Sequence, residues 1–174
     1  MVKLKRMVAL YNMIPNLAWS ILNLTPISIF CYSFMNLKLF YCFLGVSILP
    51  VFLPKSFFDN IKIAKTVAFY KRAGVVYINR FTQNGDVINA LIRKRFPQYK
   101  VVSGTRRSIT KVVQQTYMFE KFHFVMFLLF ILIAIYAIIY HYLWWAVIIT
   151  ANNIVYNVYP CLLQQYIRTR LRAF

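Results

Sequence analysis

Glu120 and His123 stand three residues apart in a chain that holds only three acidic residues and two histidines. On a helix that spacing puts both side chains on one face. With Gln115 and Thr116 they fall within an arc of roughly 140°. A histidine can serve as general base, and a carboxylate beside it can hold the imidazole and stabilise its charged form. No serine or cysteine in a recognisable nucleophile pattern accompanies them. The chemistry that needs only a base and oxyanion donors is direct attack of a substrate hydroxyl on a thioester.

A second polar row lies downstream. Asn153, Asn157, Gln164 and Arg168 are spaced 4, 7 and 4 apart, a stripe roughly 60° wide on a continuous helix. Pro160 would kink that helix. If the chain folds back about Tyr142, His123 stands level with Cys161 and Glu120 with Gln164, and Arg168 comes within reach of Glu120. Asn157, Gln164 or Arg168 could then supply oxyanion donors, and Arg168 and Arg170 could bind the phosphates of coenzyme A or an acyl carrier. His123 and Glu120 are therefore the catalytic candidates. Gln115, Thr116, Asn153, Asn157, Gln164, Arg168 and Arg170 are the substrate-binding candidates.

A structural reading competes with this one. Glu120 could pair with Arg168, His123 could be an interfacial histidine, and the amides could tie helices together. Glu-x-x-His offers two metal ligands and no second pair is visible, so no metal site and no cofactor are expected. Cys161 lacks a thiolate-activating motif. His141, at the far turn, reads as an aromatic-belt residue.

The elements that must position these residues are apolar. Of 174 residues 61% are hydrophobic and 14% charged, and the apolar residues lie in long blocks, which points to an integral membrane protein. The net charge of +18 invites a nucleic-acid reading. The basic residues flank apolar blocks, though, as loops on the cytoplasmic side of a membrane do, and no nucleic acid is expected. Cys31, Cys42 and Cys161 sit in apolar runs, odd in number and without metal spacing, which excludes a disulfide framework. The basic start lacks a small-x-small cleavage site, so the first apolar block is read as a retained span.

Taken in order, spans are expected at about 7–30, 39–53, 123–140 and 143–163. The fold class is all-α, a single membrane domain of four transmembrane helices in two hairpins. Pro15 and Pro26 predict a broken or re-entrant first span, and Asn16, Ser20 and Asn23 share one of its faces. Residues 55–122 form a basic amphipathic cytoplasmic segment: a helix from Lys55 that ends near Gly74, a strand or extended piece over 75–81, a turn at Asn84–Gly85, and a helix capped by Asp86. A second break falls at Ser103–Gly104–Thr105, and a long helix then starts near Thr105 or Ser108. Fourteen Lys and Arg between Lys55 and Lys121, against Lys38 alone on the other side, put both termini and this segment in the cytoplasm.

The pattern Gln-Thr-x3-Glu-x2-His, followed by Asn-x-Tyr-Pro-x3-Gln-x-Tyr-x-Arg-x-Arg, resembles the bacterial glycosyl-4,4'-diaponeurosporenoate acyltransferase family. Thr116, Glu120, His123, Asn157, Pro160, Gln164, Tyr166, Arg168 and Arg170 carry the match. The resemblance covers the C-terminal third, is looser over FYKRAGVVYINRF and is weak in the first hairpin. It departs at Gln115, Gln165 and Ile167, where the family has an acidic residue, Arg and Asn. It implies a small membrane acyltransferase, acting in the family's named member on the sugar of a glycosylated carotenoid. The resulting expectation is an inner-membrane O-acyltransferase. Its partners would be an acyl donor (acyl-CoA or acyl carrier protein), a lipid-linked acceptor and membrane lipids. The alternative is a non-enzymatic scaffold or anionic-lipid-binding protein of a cell-envelope pathway.

Overall fold

A computed structural model describes residues 2–102 and 105–172, and every regular element among them is helical. In order they are α1 (Val2–Phe34), α2 (Leu37–Ile48) with a 3-10 turn (Leu49–Phe52), α3 (Lys55–Asn60), α4 (Val67–Arg72), α5 (Val75–Asn79), α6 (Asp86–Arg95), α7 (Arg106–Ile139), α8 (Leu143–Asn153), a π-helical turn (Ile154–Val158) and α9 (Tyr159–Leu171). Three helical stretches are long and apolar enough to cross a membrane: Arg6–Phe34, Arg106–Ile139 and Leu143–Leu171. The fourth expected span is the shorter helix Leu37–Phe52.

That shorter helix still runs alongside α7. The Tyr136 hydroxyl donates to the Phe34 carbonyl at 3.0 Å, and Lys121 Nζ donates to the Val51 carbonyl at 2.8 Å. Fifteen residues of α7 separate those two levels, about 22 Å of helix, against a hydrocarbon core of ~30 Å.

The first span is one continuous helix, not the broken element the prolines suggested. Pro15 and Pro26 both lie inside α1. Each removes one ladder bond while the flanking bonds hold, as in other apolar helices that carry proline. Of its shared polar face, Asn16 and Ser20 reach other elements, whereas Asn23 donates to the Trp19 carbonyl of its own helix.

Two expectations for the middle segment are overturned. The single amphipathic helix is divided into α3 and α4, because the backbone between them bonds to side chains instead of continuing a ladder. Ile63 N–H donates to Gln165 Oε1, and the Tyr70 hydroxyl bonds both N–H and C=O of Ala64. The extended piece at 75–81 is helical over Val75–Asn79. Gly74, at φ +76°, ends the preceding turn and lets a new helix start at once, and Val75 is fully buried beside Tyr70, Leu162, Leu163 and Tyr166. Gly85 rather than Asp86 is the N-cap of α6. Thr105 caps α7 through its side chain, which accepts from Ser108 N–H. Ser103 and Gly104 lie outside the described residues.

Two apolar cores hold the assembly. Ile27, Phe30, Leu129, Phe130, Ile133 and Ile149 pack α1, α7 and α8 together, and Phe30 meets Tyr142 and Trp145 at the far end. The second core packs α4 and α5 on α9.

Candidate active site

Between α1, α7, the π turn and α9 lies a cavity of about 580 Å³, the size of a small-molecule site. Its roof is the loop from α5 to α6, where Asn79, Thr82, Gln83 and Asn84 face inward. The roof is fastened to α1. Asn12 and Asn84 exchange two hydrogen bonds, of 3.1 Å and 2.6 Å. Asn16 donates to Gln83 at 3.0 Å and Trp19 Nε1 to the Phe81 carbonyl at 3.1 Å. Gly85 makes the roof possible, since a Cβ there would collide with the carbonyl oxygens of Asn79, Arg80 and Thr82.

The chain carries 21 Lys and Arg, yet among the described residues no charged side chain lines the cavity. Its polar wall is made of six carboxamides (Asn16, Asn79, Gln83, Asn84, Gln115 and Gln164) with hydroxyls of Ser20, Thr82, Thr116 and Tyr156. Carboxamides both donate and accept, which suits an uncharged polyhydroxyl group and offers no counter-ion to a phosphate. The remaining wall is apolar, with Met118, Phe119, Phe122, Val155, Leu163 and Ile167.

His123 lines this cavity. Its Nδ1 lies 3.5 Å from Asn157 Oδ1. Asn157 Nδ2 is committed to Asn153 Oδ1 at 2.8 Å, and Asn153 Nδ2 to the Phe127 carbonyl at 3.1 Å. The order of donors along this chain leaves Asn157 Oδ1 facing the imidazole as an acceptor, and a ring that carries its hydrogen on Nδ1 keeps the Nε2 lone pair for a substrate. The ring also meets the edge of Tyr156, with centroids 5.7 Å apart.

Glu120 does not hold His123. At the edge of the arc, it turns toward α9, where Gln165 Nε2 donates to its Oε1 at 2.8 Å and Arg168 Nη2 stands 2.5 Å from its Oε2. Arg168 is fully buried and lies 4.3 Å over the Tyr117 ring. The ion pair is close but poorly aligned, and Arg168 Nε and Nη1 have no hydrogen-bond acceptor among the described residues. Asp59, 3.9 Å from Arg168 Nε, completes the cluster by accepting from the Tyr117 hydroxyl at 2.8 Å and from Arg172 at 3.1 Å. Partial burial pushes the Asp59 carboxyl up, but the hydrogen bonds from Tyr117 and Arg172 and the charges of Arg172 and Arg168 outweigh it and hold it below the ordinary carboxylate range.

The expected site residues thus divide into two groups. Gln115, Thr116, His123 and Gln164 line the cavity, and Asn157 supports His123 from behind. Thr116 gives its hydroxyl to the Val113 carbonyl. Asn153 ties α8 to α7, Glu120 and Arg168 form the buried pair beside the cavity, and Arg170 is exposed. Cys161 Sγ rests against the Glu120 carbonyl at 3.8 Å. Among the described residues no cluster of His, Cys, Asp and Glu could hold a metal.

Residues that spacing alone did not single out complete the picture. Gln165 is a buried hub that joins Glu120, Tyr70 and the Ile63 backbone. Asp59, Tyr117 and Arg172 form the outer half of the ion cluster. Asp59 was one of only three acids in the chain, and that scarcity was the available signal.

No curated protein and no solved structure matches the chain. A family profile does match, over residues 54–174, described as glycosyl-4,4'-diaponeurosporenoate acyltransferase. It takes in the roof loop, α7, the π turn and α9, and leaves out only the first hairpin, whose α1 closes the cavity. With well over half of its length matched, the chain belongs to the glycosyl-4,4'-diaponeurosporenoate acyltransferase family.

Proposed function

We propose that this acyltransferase carries a fatty acyl group from a thioester donor, acyl-CoA or an acyl carrier protein, to a hydroxyl of a neutral glycosylated lipid such as an isoprenoid glycoside. One observation carries the reading: a histidine whose Nδ1 faces Asn157 Oδ1 lines a carboxamide-rich cavity whose other wall is apolar. The carboxamides suit a sugar, and the apolar wall suits the hydrocarbon of donor or acceptor.

In this reading His123 Nε2 accepts the proton of the attacking hydroxyl as its oxygen bonds the thioester carbonyl carbon. The tetrahedral intermediate collapses, the carbon–sulfur bond breaks, and the thiolate leaves with the proton from Nε2. Asn157 holds the imidazole in the correct tautomer, the part an asparagine plays in papain-like triads. Gln115, Thr116 and Gln164 contact substrate. Glu120 and Arg168 act at one remove, by fixing α9 against α7.

The roof of the cavity belongs to the basic middle segment. By the positive-inside rule the side of that segment is the cytoplasm, where thioester donors are available, and the membrane is the bacterial inner membrane. The Leu37–Phe52 helix would be the short fourth crossing. The scaffold alternative loses ground because the family is one of enzymes.

Purified His123→Ala, assayed with a fatty acyl thioester and a glycosylated isoprenoid, should lose at least ~100-fold in kcat. Asn157→Ala should lose part of that. A folded His123→Ala protein with full transfer activity refutes the proposal.

A further inference from the structure

Base chemistry at His123 leaves a second requirement unmet, a donor for the negative charge that develops on the thioester oxygen. Most donors suggested by spacing are unsuitable in the folded protein. Asn157 Nδ2 is bound to Asn153, and Arg168 stands outside the cavity, against Glu120 and Tyr117. The Thr116 hydroxyl is taken up by the Val113 carbonyl at 2.7 Å. Of that group Thr116 and Gln164 line the cavity, and the Thr116 hydroxyl is the one already given to a carbonyl.

Another pair lies beside His123. Ser20 Oγ and the Tyr156 hydroxyl are 3.1 Å apart, across the gap between α1 and the π turn. Both residues line the cavity. Tyr156 meets the imidazole with the rings at 82° and stacks on Phe130 with centroids 6.5 Å apart, so two neighbours hold the ring. Ser47, Thr110 and Thr169 turn their hydroxyls back onto the carbonyl four residues earlier. Ser20 instead reaches across to Tyr156. Two hydroxyls bring two hydrogens, and their mutual bond uses one. The other is left for a third atom, and the cavity is where that atom would be.

The π turn explains how both groups come from adjacent positions. Tyr156 and Asn157 both lie within Ile154–Val158, where the widened turn brings Asn157 behind His123 and Tyr156 into the cavity beside it. Single π turns inside α-helices are often found at functional sites.

We propose that Tyr156 is a catalytic residue, donating from its hydroxyl to the thioester oxygen as that oxygen gains charge, and that Ser20 is the positioning residue that holds the hydroxyl in place. The inference rests on His123 acting as base. As the acceptor oxygen bonds the carbonyl carbon, Nε2 takes its proton and the carbonyl π pair moves onto oxygen, where Tyr156 holds it. The pair returns as the carbon–sulfur bond breaks, and the thiolate leaves with the proton from Nε2. A phenol is a stronger donor to an oxyanion than a carboxamide, as active sites that pair tyrosine with an enolate show. Ser20 lies outside the family match, so half of the donor pair comes from the first hairpin.

The test is steady-state kinetics of the full chain in detergent or vesicles, with a fatty acyl thioester and a glycosylated isoprenoid. Tyr156→Phe should lower kcat roughly 100- to 1,000-fold, the loss seen when an oxyanion donor is removed, with KM little changed. Ser20→Ala should lower kcat about tenfold, and Ser20→Thr should restore it. Tyr156→Phe with unchanged kcat, or with the loss confined to KM, overturns the inference. Should Tyr156→Phe not fold, equal kcat in Ser20→Ala and Ser20→Thr overturns it, and a lower kcat in Ser20→Ala alone supports it. His123→Ala separates the two levels. If that variant is inactive while Tyr156→Phe is active, only the oxyanion assignment fails, whereas a fully active His123→Ala removes the base as well.

Discussion

Removing either partner of the Glu120–Arg168 pair should have unequal effects. Both side chains are buried, Arg168 fully and Glu120 at 1% exposure. In Arg168→Met, Glu120 keeps only the Gln165 amide, and a buried carboxylate that has lost its counter-ion costs about 3–5 kcal/mol. In Glu120→Gln, Arg168 keeps Asp59 at 3.9 Å and the Tyr117 ring at 4.3 Å, and the new amide is close in shape to the carboxyl, so the cost should be about 1–3 kcal/mol. At ~2–4 °C per kcal/mol for a chain of this size, Arg168→Met should lower the melting temperature in detergent by roughly 6–20 °C, and Glu120→Gln by clearly less. Combining the two neutral residues should recover part of the larger loss. Activity adds a second readout. Assayed well below its melting temperature, Glu120→Gln should stay within a few-fold of wild type, because Asn157 and not Glu120 holds His123. Equal destabilisation by the two variants, or a folded Glu120→Gln that loses ~100-fold or more in kcat, would refute this account of the cluster.

The remaining predictions concern the outer cluster and the cavity roof. Asp59 has its carboxyl pKa lowered in the fold, so its contribution is fully present above the unfolded-state value near ~3.9 and is lost as pH falls through the lower folded value. Melting temperatures measured from pH 6 downward should therefore drop less steeply below about pH 4 in Asp59→Asn than in the parent protein; parallel curves would show that the carboxylate contributes nothing. Gly85→Ala forces a Cβ against three backbone carbonyls. It should cost about 1–3 kcal/mol as overpacking does, and by displacing Gln83 and Asn84 it should raise KM for the acceptor more than it lowers kcat. Unchanged KM would mean that the roof does not contact the acceptor.

Much of the assembly was legible because membrane burial constrains sequence strongly. The apolar blocks, the cap at Thr105, the break at Gly74 and the turn after Ile139 each have a local cause that acts without tertiary context. The middle segment was less legible for the opposite reason. Whether residues 61–66 continue a helix depends on Gln165, about a hundred positions away, bonding the Ile63 N–H. Nothing in the local period of residues 55–74 signals that competition. The same holds for the roof loop, which is built by contacts from Asn12 and Asn16, about seventy positions away.

The partner of Glu120 differs from the one that helical spacing predicts, and the difference has a single source. A continuous helix puts Gln164 opposite Glu120. In the fold the residue there is Gln165, at 2.8 Å, and Gln164 faces the cavity. The offset is one residue, which is what a π turn at Ile154–Val158 inserts into an α-helical count. Without it, by the same count, the residue behind the imidazole would be shifted relative to the ion cluster, and one uninterrupted face would have to serve both. With it, the helix presents two separate sets: Asn157 and Tyr156 beside His123, and Gln165 and Arg168 against Glu120. Pro160, at the start of α9, is the visible sign that the ladder is disturbed here, and proline by itself predicts a kink rather than a change of register. The π turn therefore separates the proposed chemistry from the buried ion pair, so that Glu120 and Arg168 can hold α9 in place without bringing charge into the carboxamide-lined cavity.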